Sequence, residues 1–148
     1  MATSTLIQFL ASGELGDTSN RRQVETFIAN GAIAAGDWVQ LDTAASGADR
    51  CLYVIEATAA FATGNPLVVG VALAGAVTGE NVRVVVAGYA EGASVANAVN
   101  AAGIALVVAN TAAGQAVALA AADVAPACGV ALEAAAANRA DVWVLKNF

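Results

Sequence analysis

The sequence predicts a mainly β fold: a compact antiparallel β-barrel or sandwich built from two similar half-units, with an extended amino-terminal arm. Three observations lead there. Gly70-Val71-Ala72-Leu73 returns as Gly129-Val130-Ala131-Leu132, and GVALAGAVTGENVRVVV then matches GVALEAAAANRADVWVL at a constant offset of 59, with 6 identities over 17 positions. Gly36 to Ala45 is echoed by Gly103 to Ala113 once a residue is inserted, and the two echoes keep the same order. Short valine-rich runs alternate with turns of Gly, Asn and Asp. A unit of this size cannot bury its own apolar face, so a second unit or a neighbouring subunit must cover it.

Residues 1–23, rich in Ser, Thr, Gly and Asn and closing on Asn20-Arg21-Arg22-Gln23, show no period of 2 or 3.6 and read as an arm. The β-domain follows over 24–148, with half-units at about 24–92 and 100–148. Glu25 to Ala29 leads into Asn30-Gly31, the strongest hairpin dipeptide in the chain. Trp38 to Asp42 alternates, with Val39 and Leu41 on one face and Trp38 on the other. Arg50 to Thr58 is apolar on both faces and suits a central strand. Gly64-Asn65-Pro66 breaks the chain before Leu67 to Gly75, and Thr78 to Asn81 turns it into Val82 to Ala90, where Val82, Val84 and Val86 share a face opposite Arg83. Gly92 to Gly103 is the expected joint between half-units. Strands at Ile104 to Ala109, Val117 to Ala120, Cys128 to Glu133 and Val142 to Lys146 complete the second one. Ala134 to Asn138 is too short for a helix and reads as a turn.

Alanine (40), valine (20) and glycine (14) make half of the 148 residues, and only 12% are charged against about 25% in ordinary domains. The exterior must therefore be built of small uncharged side chains, which lose almost no rotamer freedom when covered. Mean hydropathy is +0.68, yet the longest clean apolar run, Leu67 to Val77, falls short of the ~20 residues of a spanning helix. The net charge is -6, and apart from Arg21-Arg22 the basic residues are scattered, so no nucleic-acid stripe is expected. Cys51 and Cys128 read as buried small hydrophobes. The amino terminus shows no signal-peptide pattern, and synthesis in a reducing cytoplasm is expected.

Histidine is absent, which removes the commonest general base and metal ligand. Asp37, Asp42, Glu80 and Arg139 read as turn and surface charges. No phosphate-cradling glycine pattern, calcium loop or Cys-x-x-Cys pair occurs, and the lone Lys146 lies in the terminal strand rather than at a carrier hairpin tip. We expect no enzyme, no cofactor and no metal. The aromatics remain as anchors: Trp143 in the core, Trp38 outward as an interface residue, Phe9 and Phe27 on or beside the arm, and Phe148 at an apolar end.

The succession Ala-Gly-Asp-Trp-Val (35–39), Gly-Val-Ala-Leu (70–73), Val-Arg-Val-Val-Val-Ala-Gly (82–88), Asn-Thr-Ala-Ala-Gly (110–114) and Gly-Val-Ala-Leu-Glu-Ala-Ala (129–135) resembles the small Ala/Gly/Val-rich capsid decoration, or cement, proteins of tailed bacteriophages. The likeness covers about residues 24–148, and the arm is longer than in the shortest members. It implies a structural virion protein on the outer face of an icosahedral head, commonly a homotrimer, whose arm orders on the major capsid protein. On that reading Phe9, Arg21, Arg22, Phe27, Trp38 and Phe148 meet capsid or sister subunits. A tail-fibre or baseplate β-domain binding a host receptor is the alternative.

Overall fold

The structure is a computed structural model that describes residues 18–19, 21–58, 65–108, 112–120 and 126–146. These form ten strands: β1 (Thr18–Ser19), β2 (Arg22–Ala29), β3 (Trp38–Leu41), β4 (Tyr53–Glu56), β5 (Val68–Ala72), β6 (Asn81–Ser94), β7 (Ala105–Val107), β8 (Val117–Ala118), β9 (Gly129–Ala131) and β10 (Arg139–Val144). They make one sheet in the order β1-β2-β4-β3-β5-β6-β10-β9-β7-β8. A further β2–β6 pairing closes β2, β4, β3, β5 and β6 into a five-stranded barrel. The remaining strands curl from β6 through β10, β9, β7 and β8 into a second ring, whose ends touch at the single parallel bridge Val95↔Ala116.

The two rings are one unit used twice. Trp38 pairs with Val71 and Val39 with Gly70 in the barrel; Ala105 pairs with Val130 and Leu106 with Gly129 in the second ring. The Gly36 N–H donates to the Ala72 carbonyl at 2.8 Å, and the Gly103 N–H donates to the Ala131 carbonyl at 2.7 Å. The parallel pair Ala29↔Val54 between β2 and β4 matches the Val95↔Ala116 bridge. Even the cores correspond. Phe27, Ile33, Val39, Val54, Val82 and Val84 fill the barrel, and Ala93, Val99, Leu106, Ala116, Ala140 and Val142 fill the second ring. Four of those six positions are smaller in the second ring, so its own residues leave room inside.

The repeated hairpins also explain why an offset of 59 fits imperfectly. Ala72 pairs with Val84, whereas Ala131 pairs with Val142, so the second hairpin is one residue shorter. Its turn is made by Ala137 and Asn138, both at positive φ (50° and 61°), between Ala136 and Arg139, which bond to each other. That is a two-residue hairpin of the type that matches strand twist. The first hairpin turns through Gly79 at φ 89° and is clamped by Glu80, whose Oε2 accepts from the Val77 N–H at 3.0 Å.

Several expectations need correcting. Asn30-Gly31 is no hairpin turn, because β2 and β3 do not pair; the Asn30 amide donates to Asp42 Oδ2 at 2.6 Å while the chain crosses the barrel end. The expected Arg50–Thr58 strand is a 3₁₀ turn, Gly47–Cys51, followed by a short β4. Cys51 is consequently exposed, whereas Cys128 is buried as expected. Asp37 and Asp42 are buried rather than on the surface, held by turn hydrogen bonds to the Ala34 and Ala44 N–H groups. β6 serves both rings, since its first half pairs with β5 and β2 in the barrel and its second half with β10. The arm region contributes β1 and the start of β2, so its last residues belong to the sheet.

Trp38 and Trp143 exchange the places expected of them. Trp38 is 0% exposed. It points out of the barrel as the alternation demanded, but the second ring covers it. Its indole N–H donates to the Ser94 carbonyl at 3.1 Å, and its ring tip stands 2.8 Å from where a Cβ on Gly129 would sit. Trp38 thus supplies part of the volume that the second ring lacks. Trp143 instead faces outward, 39% exposed.

Candidate functional site

A groove of about 240 Å³ lies at the root of the arm, lined by Arg21, Arg22, Gln23, Ala87, Gly88 and the run Trp143 to Lys146. Gly88 makes it possible. Its φ is 89°, and a side chain there would run into the Arg21 carbonyl, so only glycine lets β2 approach β6 this closely. The Arg21 carbonyl accepts from the Tyr89 N–H at 2.9 Å. A register shift between Gln23 and Val24 leaves Val86 as an extra residue on β6, and such bulges bend a strand and re-aim its neighbours. Gly88 pairs with Arg22 on one side and Val144 on the other, which brings residues 21–23 beside residues 143–146.

Three of the six basic residues, Arg21, Arg22 and Lys146, therefore gather around an exposed tryptophan on a chain of net charge -6. The Lys146 ammonium approaches Gln23 Oε1 at 3.4 Å, and the Gln23 amide donates to Glu25 at 2.9 Å. The arrangement offers positive charge, an indole face and the apolar Leu145 in one place. That combination suits an acidic, partly apolar protein surface, since arginine and tryptophan are enriched where proteins bind each other.

The other polar groups hold the fold together. A cleft of about 410 Å³ between the rings is crossed by Arg139, whose guanidinium donates to the Ala35 and Gly92 carbonyls at 2.9 and 3.2 Å. Asp37 and Glu56 both lie against Gly114. Burial raises the Asp37 carboxyl above its usual range, against smaller lowering effects from the Ala34 N–H and Arg139, and burial plus the Asp37 charge raises Glu56. The Tyr89 hydroxyl donates to Asp141 at 2.6 Å, and that bond with burial pushes its pKa up to about 12. Burial pushes the Cys128 thiol up to about 12 as well. Among the described residues no three His, Cys, Asp or Glu side chains cluster as metal ligands, and no helix is long and apolar enough to cross a membrane.

Of the six contact residues expected from sequence, Arg21 and Arg22 line the groove, while Phe27 is buried inside the barrel and Trp38 between the rings. Neither aromatic is exposed on the single chain. Phe9 and Phe148 lie outside the described residues. Sequence reasoning missed Trp143, Leu145 and Lys146. The signal was present in Val142-Trp143-Val144, where inward valines force the tryptophan out. No protein-family model matches this sequence, and no curated protein matches it.

Proposed function

We propose that this chain is a capsid decoration, or cement, protein, which binds the outer surface of an icosahedral phage head and stabilises it by bridging capsid subunits. The groove at the root of the arm carries the reading. It gathers half of the chain's basic residues with an exposed tryptophan beside the segment that leads into residues 1–17. The composition and the motif order noted above support it. A head under internal pressure gains from many weak contacts repeated over a symmetric shell, and such contacts need no catalysis. The partners on this reading are the major capsid protein and sister copies in a trimer. The working location is the capsid exterior, after synthesis in the host cytoplasm.

The test adds purified full-length chain to heads that lack it. Binding is expected, with a gain in heat resistance, and replacing Arg21, Arg22 and Lys146 together by Glu should weaken it at least about tenfold at low salt. Absence of binding, or a triple variant that decorates heads as the parent does, would overturn the reading.

A further inference from the structure

The internal repeat exposes a face that its twin keeps covered. In the barrel, Trp38, Ala57, Val68, Val71 and Val85 point outward and are buried against the second ring. The matched strand registers place Ala105, Val130 and Trp143 at the positions of Trp38, Val71 and Val85, and counting one residue on from Ala118 and two back from Gly129 places Leu119 and Ala127 at those of Ala57 and Val68. None of these five is buried. Leu119 is 38% exposed and Trp143 39%, and Leu132 and Leu145 extend the same apolar surface.

The covering segment has a twin too. Residues 112–116 lie over the barrel face: the Gly114 carbonyl accepts from the Trp38 N–H at 2.9 Å, and the Gly114 N–H donates to the Ala57 carbonyl at 2.8 Å. In the barrel, the Val54/Ala116 equivalence puts Leu52 where the second ring has Gly114. Leu52 follows the 3₁₀ segment directly and is 48% exposed, an apolar side chain on the side of the barrel that would do the covering.

We infer that the outer face of β7, β8, β9 and β10, centred on Leu119 at the end of β8, Val130 and Trp143, docks the Leu52 side of the barrel of a second copy of this chain. The contact repeats between copies the way the second ring covers the barrel within one copy. It is heterologous, head to tail, and so builds a closed ring if its rotation closes and an open series if it does not. The inference stands on the internal repeat and does not depend on binding to a head.

The experiment measures mass by light scattering and sedimentation over a range of concentrations for the parent chain, Leu119→Glu and Leu52→Glu. Both positions are more than a third exposed, and circular dichroism melts confirm that each variant folds. The parent should self-associate, and each variant should weaken assembly at least about tenfold. The decisive arm mixes the two variants. Leu119→Glu keeps an intact Leu52 side and Leu52→Glu keeps an intact face, so the mixture should form a one-to-one dimer that neither forms alone. A parent that stays monomeric, assembly unaffected by either substitution, or a mixture that stays monomeric would overturn the inference. Assembly lost only on deleting residues 1–17 would also overturn it, because the arm would then be the occupant. Self-association of the parent is measured without heads and head binding is measured with them, so that the two readings fail separately.

Discussion

Replacing Trp38 by Ala removes the side chain that joins the two rings. Trp38 is wholly buried, and deleting a buried aromatic costs about 3–5 kcal/mol from lost transfer energy and the cavity left behind. That range includes the indole hydrogen bond to Ser94, worth about 1 kcal/mol. The opposite perturbation is Gly129→Ala. Its new methyl would meet the indole tip at 2.8 Å and the Trp143 carbonyl at 3.0 Å, an overpacking cost of about 1–3 kcal/mol. Because the two positions share one space, the double variant should be less destabilised than the sum of the singles by at least about 1 kcal/mol. Urea unfolding followed by far-UV circular dichroism measures all three without relying on the tryptophan signal. A Trp38→Ala cost below about 1 kcal/mol, or strict additivity with Gly129→Ala, would refute the claim that this indole fills the second ring.

Three further outcomes are expected. Ala137→Gly should stabilise the chain by about 1 kcal/mol in the same assay, because an alanine at φ 50° carries a left-handed penalty that glycine lacks. Burial raises the Asp37 and Glu56 carboxyls above their ordinary range, so the folded state holds those protons to higher pH than the unfolded chain does. Their contribution to stability is then full below the ordinary carboxylate range and is lost as pH rises through the higher folded values; melting temperature should increase as pH is lowered towards the ordinary carboxylate range, and Glu56→Gln should flatten that dependence. Tyr89→Phe removes one of the donors to Asp141, which keeps the Gly92 N–H at 3.0 Å, and should cost about 1 kcal/mol by urea unfolding.

Much of the β architecture was legible because strands and turns announce themselves locally. Gly-Val-Ala-Leu twice, each followed by a polar turn and a valine run, is a hairpin written twice, and β5–β6 and β9–β10 are those hairpins. What stayed hidden was non-local. Asn30-Gly31 satisfies the hairpin preference, but barrel closure pairs β2 with β4 and β6 instead, which no dipeptide encodes. Alternation put Trp38 on the outer side of its strand, yet outside one ring is inside the contact with the next. A rule about one strand cannot see the second layer. The same oversight hid Trp143, which occupies the place of Val85 but has no third ring to cover it. The groove needed the meeting of residues 21–23 with 143–146, a contact across almost the whole chain. Only the Arg21-Arg22 half of it shows as a local cluster.

The proposal that this chain cements a phage head is tested most directly by its abundance in the particle. Quantitative mass spectrometry of purified virions should find it in a small whole-number ratio to the major capsid protein. A handful of molecules per particle, as for a fibre or baseplate component, or none at all, would contradict it.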